Sequence, residues 1–206
     1  MRWIHLEDQR TVNWSGGTTT ELAIAPEGAT YVGRDFDWRL STAVVEDEES
    51  VFTELPDYNR LLALRKGTLW LRHDEDAWYE LRPGRAVAFD GGSRTESRGR
   101  VTDFNLMLRK GRAEGSLRCL SLAEVNEEMP ACELFGTEET MPAGTCLALF
   151  LSEGGPLALF PDGKEVLQAG EMLLLKSGEE VAACRIPAGA EGELIAARIR
   201  VMPEHQ

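Results

Sequence analysis

Hydrophobic and polar residues alternate in short runs along most of the chain, and glycine, proline and acidic residues separate the runs. A period of two is typical of β-strands with one buried face, and no stretch sustains the period of about 3.6 residues that marks a helix. The strands predicted in this way are 20–25, 38–45, 60–65, 67–72, 86–89, 101–110, 117–122, 145–152, 157–160, 172–175, 181–186 and 193–201. Short strands at this spacing predict an all-β fold, built as a sandwich or barrel.

Part of this pattern occurs twice, which predicts two related lobes. Gly67 and Gly155 begin the two copies and lie 88 residues apart, whereas Gly84 and Gly170 lie 86 residues apart. Each copy consists of a strand, a turn, a short strand and a glycine turn into a third strand: 67–71, 80–84 and 86–89 in the first, and 155–159, 166–170 and 172–175 in the second. We expect an N-terminal lobe at 1–112, which would hold the ligand site. The C-terminal part, 113–206, would contain a connecting segment at 123–144 and a supporting lobe packed against the first.

Composition and net charge argue against two classes of binding partner, nucleic acid and membrane. The net charge is −13, from 35 acidic and 22 basic residues, so a nucleic-acid partner is not expected, because its phosphates would be repelled. The four cysteines match neither a zinc-ligand spacing nor a Cys-x-x-Cys pair, and we expect reduced thiols. We see no apolar signal core at the N-terminus and no run of about 18 apolar residues, so a membrane partner is not expected either. These features favour a cytoplasmic protein.

The candidate ligand-binding residues are polar side chains that interrupt the predicted apolar strands. Arg39 and Ser41 share one face of their predicted strand, Arg60 begins a strongly apolar strand, and Asp103 and Asn105 share a face of another. Buried arginine and buried Asp or Asn need partners, so these groups either pair with one another or receive a ligand.

The segment before the first of these strands adds two further candidates. Gly16 and Gly17 are followed by three threonines and Glu21. Adjacent glycines allow a backbone with positive φ that approaches a small molecule closely, and Thr19 and Glu21 would then line the site. The alternative is a tight turn leading into an edge strand.

Glycine-framed strand pairs repeated once resemble the paired barrels of the cupin superfamily. Metal-binding cupins carry a glycine, five residues, two histidines separated by one residue, and then a glutamate. In this chain Gly67 and His73 fit the opening, but Glu75 stands where the second histidine belongs. The other histidines, His5 and His205, are terminal. We therefore expect no metal and no other cofactor, and we interpret His73 as part of a solvated hairpin turn.

Five ordered motifs together resemble the HutD/Ves family of bicupins. They are Trp14 to Glu21, Trp38 to Ala43, Ser50 to Thr53, Arg60 ahead of Gly67, and Asp103 to Met107. The agreement spans residues 12 to about 110 and is weaker beyond. Where the family commonly has a tryptophan, an asparagine and a first glycine, this chain has Val12, Trp14 and Ser15. No binding role is therefore carried over for that asparagine, and Trp14 is expected to reshape the pocket.

The resemblance implies an all-β bicupin: two cupin-like sandwich or barrel lobes of the RmlC-like jelly-roll type. It implies a metal-independent binder of a small anionic metabolite, namely an N-formylated or acidic amino acid derivative such as formylglutamate, which governs histidine utilisation. In that function Arg60 would pair with one carboxylate and Arg39 with a second, while Thr19 and Asn105 would bond a formyl or amide group. Asp103 would orient an arginine. No catalytic activity is implied.

Two alternatives stay open. A metal-free cupin isomerase or epimerase would need a general base, for which His73, or Tyr58 with Asp103, is the candidate. A stress-related scaffold without a ligand would instead pair Arg39 or Arg60 with Asp103 or Glu21. A homodimer is compatible with the alternating strands, although no feature of the sequence specifies its face.

Overall fold

The computed structural model describes residues 1–136, 142–161, 163–176 and 178–203. Antiparallel strands dominate this part of the chain, which confirms the predicted all-β class. In chain order the strands are β1 (Arg2–Ile4), β2 (Arg10–Trp14), β3 (Gly17–Ala25), β4 (Trp38–Val45), β5 (Glu49–Val51), β6 (Tyr58–Lys66), β7 (Leu69–His73), β8 (Tyr79–Leu81), β9 (Ala86–Asp90), β10 (Thr95–Arg98), β11 (Val101–Arg109), β12 (Ala113–Ser121), β13 (Met129–Pro130), β14 (Thr145–Gly154), β15 (Leu157–Ala158), β16 (Val166–Leu167), β17 (Met172–Leu175), β18 (Arg185–Ile186) and β19 (Gly192–Val201).

Helical elements are short. The chain forms 3-10 turns at Leu6–Asp8, Leu122–Glu124 and Ala131–Phe135, and an α-helix, α1 (Gly178–Ala183). No helix within the described ranges is long and apolar enough to cross a membrane. The connecting segment expected at 123–144 is described except for 137–141. The turn residue Asp162 and the terminal His205 also lie outside the described residues.

The strands form two compact units. The N-terminal unit comprises residues 9–114, and the C-terminal unit comprises residues 1–8 together with the described residues from 115 onward. The expected boundary, which placed residues 1–112 in one lobe, is therefore wrong for the first strand. The reason is pairing: β1 runs antiparallel to β17, with Trp3 opposite Leu173, and so joins the C-terminal unit.

Two sheets build the N-terminal unit. One has six strands in the order β2-β3-β4-β11-β6-β9, and the other has four in the order β5-β10-β7-β8. Leu62 and Leu64 of the larger sheet pack in one cluster with Leu69, Leu71 and Leu81 of the smaller sheet. Burial of these side chains between the sheets makes this unit a β-sandwich.

The C-terminal unit has one five-stranded sheet in the order β1-β17-β14-β19-β12, with two small ribbons, β13-β18 and β15-β16. Its core is almost entirely aliphatic. The strand predicted at 181–186 is wrong in its first part, where α1 forms instead and the N–H of Cys184 donates to the carbonyls of Glu180 and Val181. A short apolar run suits a buried helix as well as a strand, so alternation could not distinguish the two.

The internal repeat is visible in the pairing. In the first copy Leu69 lies opposite Leu81 in the β7-β8 ribbon, and in the second copy Leu157 lies opposite Leu167 in the β15-β16 ribbon. The third strand of each copy, β9 or β17, leaves its ribbon and joins the larger sheet of its unit. The equivalent glycines at 84 and 170 both adopt positive φ, at 77° and 89°, which explains why both turns need glycine.

Candidate functional site

The candidate residues of the N-terminal unit share one face of its six-stranded sheet. Residues directly opposite one another on paired strands point to the same side. The register aligns Glu21 with Ser41, Asn105 and Leu62 in one row, Arg39 with Met107 and Arg60 in the next, and Thr19 with Ala43 and Asp103 in a third. Because Leu62 points into the core between the sheets, this whole set faces inward.

Arg60 is a deeply buried cation of this face, with a relative exposure of 6%, the same as that of Arg39. Its Nη2 donates to Oδ1 of Asn105 at 3.1 Å, and its Nε is buried without a hydrogen-bond partner. The guanidinium carbon lies 4.8 Å from the ring centroid of Phe52 and 5.4 Å from that of Phe89. Burial lowers the pKa of Arg60 to about 10, so it carries its charge at neutral pH. No described carboxylate forms an ion pair with it.

Asn105 connects Arg60 to a buried acid. Its Nδ2 donates to Oδ1 of Asp103 at 3.0 Å, while its Oδ1 accepts from Arg60. Burial raises the pKa of Asp103 to about 6, although the hydrogen bond from Asn105 and the charge of Arg60 act against this shift. Asp103 is thus linked to Arg60 through the amide of Asn105.

Arg39 has a carboxylate partner, unlike Arg60. Its Nε donates to Oε2 of Glu21 at 2.7 Å and its Nη1 donates to Oγ of Ser41 at 3.1 Å. The Arg39 side chain is buried and that of Glu21 is 28% exposed. Three of the predicted site residues therefore form a local ion-pair network, which is what the scaffold alternative expects of Arg39.

The glycine pair, Gly16 and Gly17, was expected to let a small molecule approach the backbone, but in the structure Gly17 contacts a neighbouring strand. Gly17 follows a two-residue turn between β2 and β3, so the tight turn of the alternative interpretation is present. The strand it leads into is not an edge strand, because β3 pairs with both β2 and β4. Its φ is 150°, and a Cβ there would overlap the backbone carbonyl oxygen of Val44. The glycine thus allows β4, not a ligand, to approach closely. Trp14 is 42% exposed, and its Nε1 donates to Oγ1 of Thr19 at 3.2 Å.

His73 is not in a solvated turn, so the interpretation of the sequence was wrong there. It ends β7, with Nδ1 2.9 Å from Oγ1 of Thr95 and Nε2 2.8 Å from the hydroxyl of Tyr79, and its ring stacks on Phe89 at 4.7 Å. Burial lowers the pKa of His73, the charge of Arg60 lowers it further, and two neighbouring aspartates act in the opposite sense. The imidazole is therefore neutral at pH 7. The alternation of Leu69, Leu71 and His73 was the signal that could have shown this inward position.

Sequence reasoning also missed Tyr31 and Arg34, which lie in the stretch between β3 and β4. The guanidinium carbon of Arg34 lies 3.9 Å from the ring centroid of Tyr31, and that of Arg39 lies 4.7 Å from it. The stretch lacks an alternating pattern, so no periodic signal separated these two residues from ordinary loop residues.

A concavity lies at the end of these strands opposite to the Arg60 row. It has a volume of about 440 Å³ and is lined by Val44, Val45, Glu46, Lys66, Gly67, Arg100, Val101 and Thr102. On β11, Val101 and Met107 are separated by six residue steps, so this concavity is about 20 Å from the Arg60 row. Its charged lining residues Glu46, Lys66 and Arg100 are exposed, so it offers no buried cation.

No group of three or more His, Cys, Asp or Glu residues is arranged to hold a metal ion in the part of the chain that the structure describes. The expected absence of a metal or other cofactor stays a prediction. The four cysteines are unpaired, and burial raises the pKa of the Cys146 and Cys184 thiols to about 12.

Two β units related by an internal repeat define a bicupin, and comparison with solved structures agrees. Vicilin from the hazelnut Corylus avellana superposes with a TM-score of 0.57 at 9% identity, over 97% of this chain and 85% of that one. At this identity the likeness shows the fold alone.

The family is defined by the sequence. The HutD family model matches residues 6–195, and the chain belongs to the HutD family. HutD from Pseudomonas fluorescens SBW25 superposes with a TM-score of 0.67 at 20% identity, over 99% of both chains. A conserved protein of unknown function from Pseudomonas aeruginosa PAO1 has a TM-score of 0.71 and 26% identity, over 98% of this chain and 99% of that one. No curated protein matches the sequence significantly.

Proposed function

We propose that this protein is a metal-independent binder of a small anionic metabolite, held in the N-terminal unit, and that it governs histidine utilisation through that ligand. One observation carries the proposal: Arg60 is a buried, charged guanidinium with an unpartnered Nε and no carboxylate partner among the described residues. Leaving such a group unsatisfied is costly, so native sites retain it where a ligand completes it.

A carboxylate is the ligand group that suits Arg60 best. Nη2 is held by Asn105, so the planar guanidinium keeps a fixed orientation while Nε stays available to an anionic oxygen. The rings of Phe52 and Phe89 flank the charge and supply apolar surface for the carbon chain of the ligand. An N-formylated or acidic amino acid derivative has both features, and formylglutamate is our specific candidate.

The other predicted residues take supporting roles in this proposal. Asp103 and Asn105 orient Arg60, and Thr19 offers a hydroxyl on the same inward face. The charge of Arg39 is balanced by Glu21, and its guanidinium also donates to Ser41. We therefore propose that Arg39 shapes the site and does not bind the first carboxylate of the ligand. A cytoplasmic location, a homodimer and the lack of nucleic-acid or membrane partners stay predictions.

Substitution of Arg60 by glutamine is expected to weaken binding of N-formyl-L-glutamate at least 100-fold, because the amide keeps hydrogen-bonding capacity but removes the charge. Isothermal titration of the parent and the variant measures this. The matched control is Arg118→Gln, which removes an exposed arginine of the C-terminal unit and should leave the affinity unchanged. Equal affinities for the parent and Arg60→Gln would refute the role of Arg60.

A metal-free isomerase or epimerase is the second candidate, because the structure brings His73, Tyr79 and Thr95 together on the inward side of the smaller sheet. A neutral imidazole bonded to a phenol could move a proton. Incubation with nucleotide sugars, followed by proton NMR, discriminates the two: a new product that disappears in His73→Gln would favour the enzyme. The scaffold alternative is supported by the Arg39–Glu21 ion pair, whereas Arg60, which has no ion pair with a described carboxylate, favours a ligand.

A further inference from the structure

The stretch between β3 and β4 places a second arginine beside a tyrosine at the edge of the Arg60 face. Tyr31 is half-buried, and the guanidinium groups of Arg34 and Arg39 both lie over its ring. Arg39 stands on the same cross-strand row as Arg60, so Tyr31 lies at the same end of the sheet as Arg60.

The backbone of Arg34 is held in an uncommon conformation. Its φ is 54°, in the left-handed region that costs free energy for any residue with a side chain. Its carbonyl oxygen accepts hydrogen bonds from the Tyr58 hydroxyl and from Nη2 of Arg109, each at 2.9 Å. These two bonds fix the position from which the side chain reaches Tyr31. Strain maintained in this way is often found where a side chain must be held ready for a ligand.

Arg34 is also incompletely bonded. Its Nη1 is buried without a hydrogen-bond partner, and no described carboxylate forms an ion pair with it. The unit therefore holds two arginines, Arg34 and Arg60, that each carry an unpartnered buried N–H.

The environment of Tyr31 shows that negative charge is favoured here. Burial raises the pKa of its phenol, but hydrogen bonding to Arg34 and Thr53 and the charges of Arg34 and Arg60 outweigh burial, so the pKa lies below its ordinary value. Thr53 is exposed, which leaves this side of the site open to solvent.

We propose that Arg34, Tyr31 and Thr53 form a second anion subsite beside Arg60, so that the protein selects a dianion over a monoanion. The ligand class is a dicarboxylate with a short carbon chain between its carboxylates: one is bound by Arg60, and the other by Arg34 with the hydroxyls of Tyr31 and Thr53. This inference rests on the proposed function, in which Arg60 binds the first carboxylate.

Titration of two probes of nearly the same shape tests the subsite. N-formyl-L-glutamate carries two carboxylates, whereas N-formyl-L-glutamine replaces one by a neutral amide. The parent protein is expected to bind the dianion at least tenfold more tightly. Arg34→Asn should reduce this preference below twofold, because removal of the guanidinium weakens binding of the dianion more than binding of the amide. Asparagine suits the test because it tolerates the left-handed conformation, so the fold is retained.

The control is Arg85→Asn, at an exposed position of the same unit, which should keep the full preference. A preference unchanged in Arg34→Asn overturns the second subsite, and the Arg60 result stands by itself. If neither formyl compound binds the parent, titration of glutarate against its monoamide decides: an Arg34-dependent preference supports the subsite and refutes the formylated ligand. Lack of binding by all four compounds overturns both proposals.

Discussion

Replacement of Gly17 by alanine is expected to lower the free energy of unfolding of the N-terminal unit by about 4 kcal/mol. Two costs combine: φ of 150° is strained for any residue with a Cβ, and the new methyl overlaps the carbonyl oxygen of Val44 on the neighbouring strand. Each is on the order of 1–3 kcal/mol. The overlap involves backbone on both strands, so rotation of a side chain cannot relieve it. This loss would be a large part of the stability of a domain, which is typically about 5–15 kcal/mol.

Urea denaturation, followed by circular dichroism, measures this change. Gly28→Ala is the matched control, because Gly28 also has positive φ, 87°, but a Cβ there meets no atom within 4 Å. It carries the strain without the overlap and should cost only about 1–2 kcal/mol. Equal losses in the two variants would contradict the argument, since they would leave no contribution from the approach of β4.

The stability of the parent relative to Asp103→Asn is expected to fall by about 2.5 kcal/mol between pH 4 and pH 8. Burial raises the pKa of Asp103 from 3.8 to about 6, so the folded state holds this proton more tightly than the unfolded state. The contribution is fully present below pH 3.8 and is lost as the pH rises through about 6. A shift of about two units corresponds to roughly 3 kcal/mol. Asparagine does not titrate, so its curve lacks this loss.

Urea midpoints of the parent and the variant at pH 4, 5, 6, 7 and 8 give the difference directly. Asp57→Asn is the matched control, because it removes one carboxylate at an exposed position of the same unit. Parallel curves for the parent and Asp103→Asn would mean that Asp103 titrates as an exposed acid does. That result would also remove the Asp103–Asn105 support proposed for Arg60.

The strands that the sequence predicted well are those whose pattern is local. Trp38–Val45 was predicted with the bounds that the structure has, and Met172–Leu175 likewise, because alternation or a continuous apolar run between turn residues is sufficient there. The segment 181–186 was not predicted correctly, because an apolar run this short also suits a helix. Assignment of β1 to its unit depended on pairing with β17, which lies about 170 residues away and leaves no trace in the local pattern.

The candidate site likewise has features that the sequence predicts and features that it does not. Within single strands, Arg39 could be predicted to share a face with Ser41, and Asp103 with Asn105, from side-chain parity. Only the pairing of β4, β11 and β6 shows that these residues and Arg60 lie on one face of the sheet. The sequence could not show which of the two arginines, Arg39 or Arg60, has a carboxylate partner. That depends on the bulged register of β3 against β4, which brings Glu21 to Arg39 and leaves Arg60 with Asn105.

The amino-acid pattern alone specifies the all-β class, the internal repeat and the polar residues that share a face within each strand, because side-chain parity and glycine turns are properties of neighbouring residues. Tertiary structure decides which charges meet. It pairs Arg39 with Glu21 of the neighbouring strand and turns His73 inward against Thr95. It also fixes the backbone of Arg34 through hydrogen bonds from Tyr58 and Arg109. The energy of a buried charge depends on its surroundings in three dimensions, so only the folded chain shows that Arg34 and Arg60 of the N-terminal unit each keep a buried N–H without a hydrogen-bond partner.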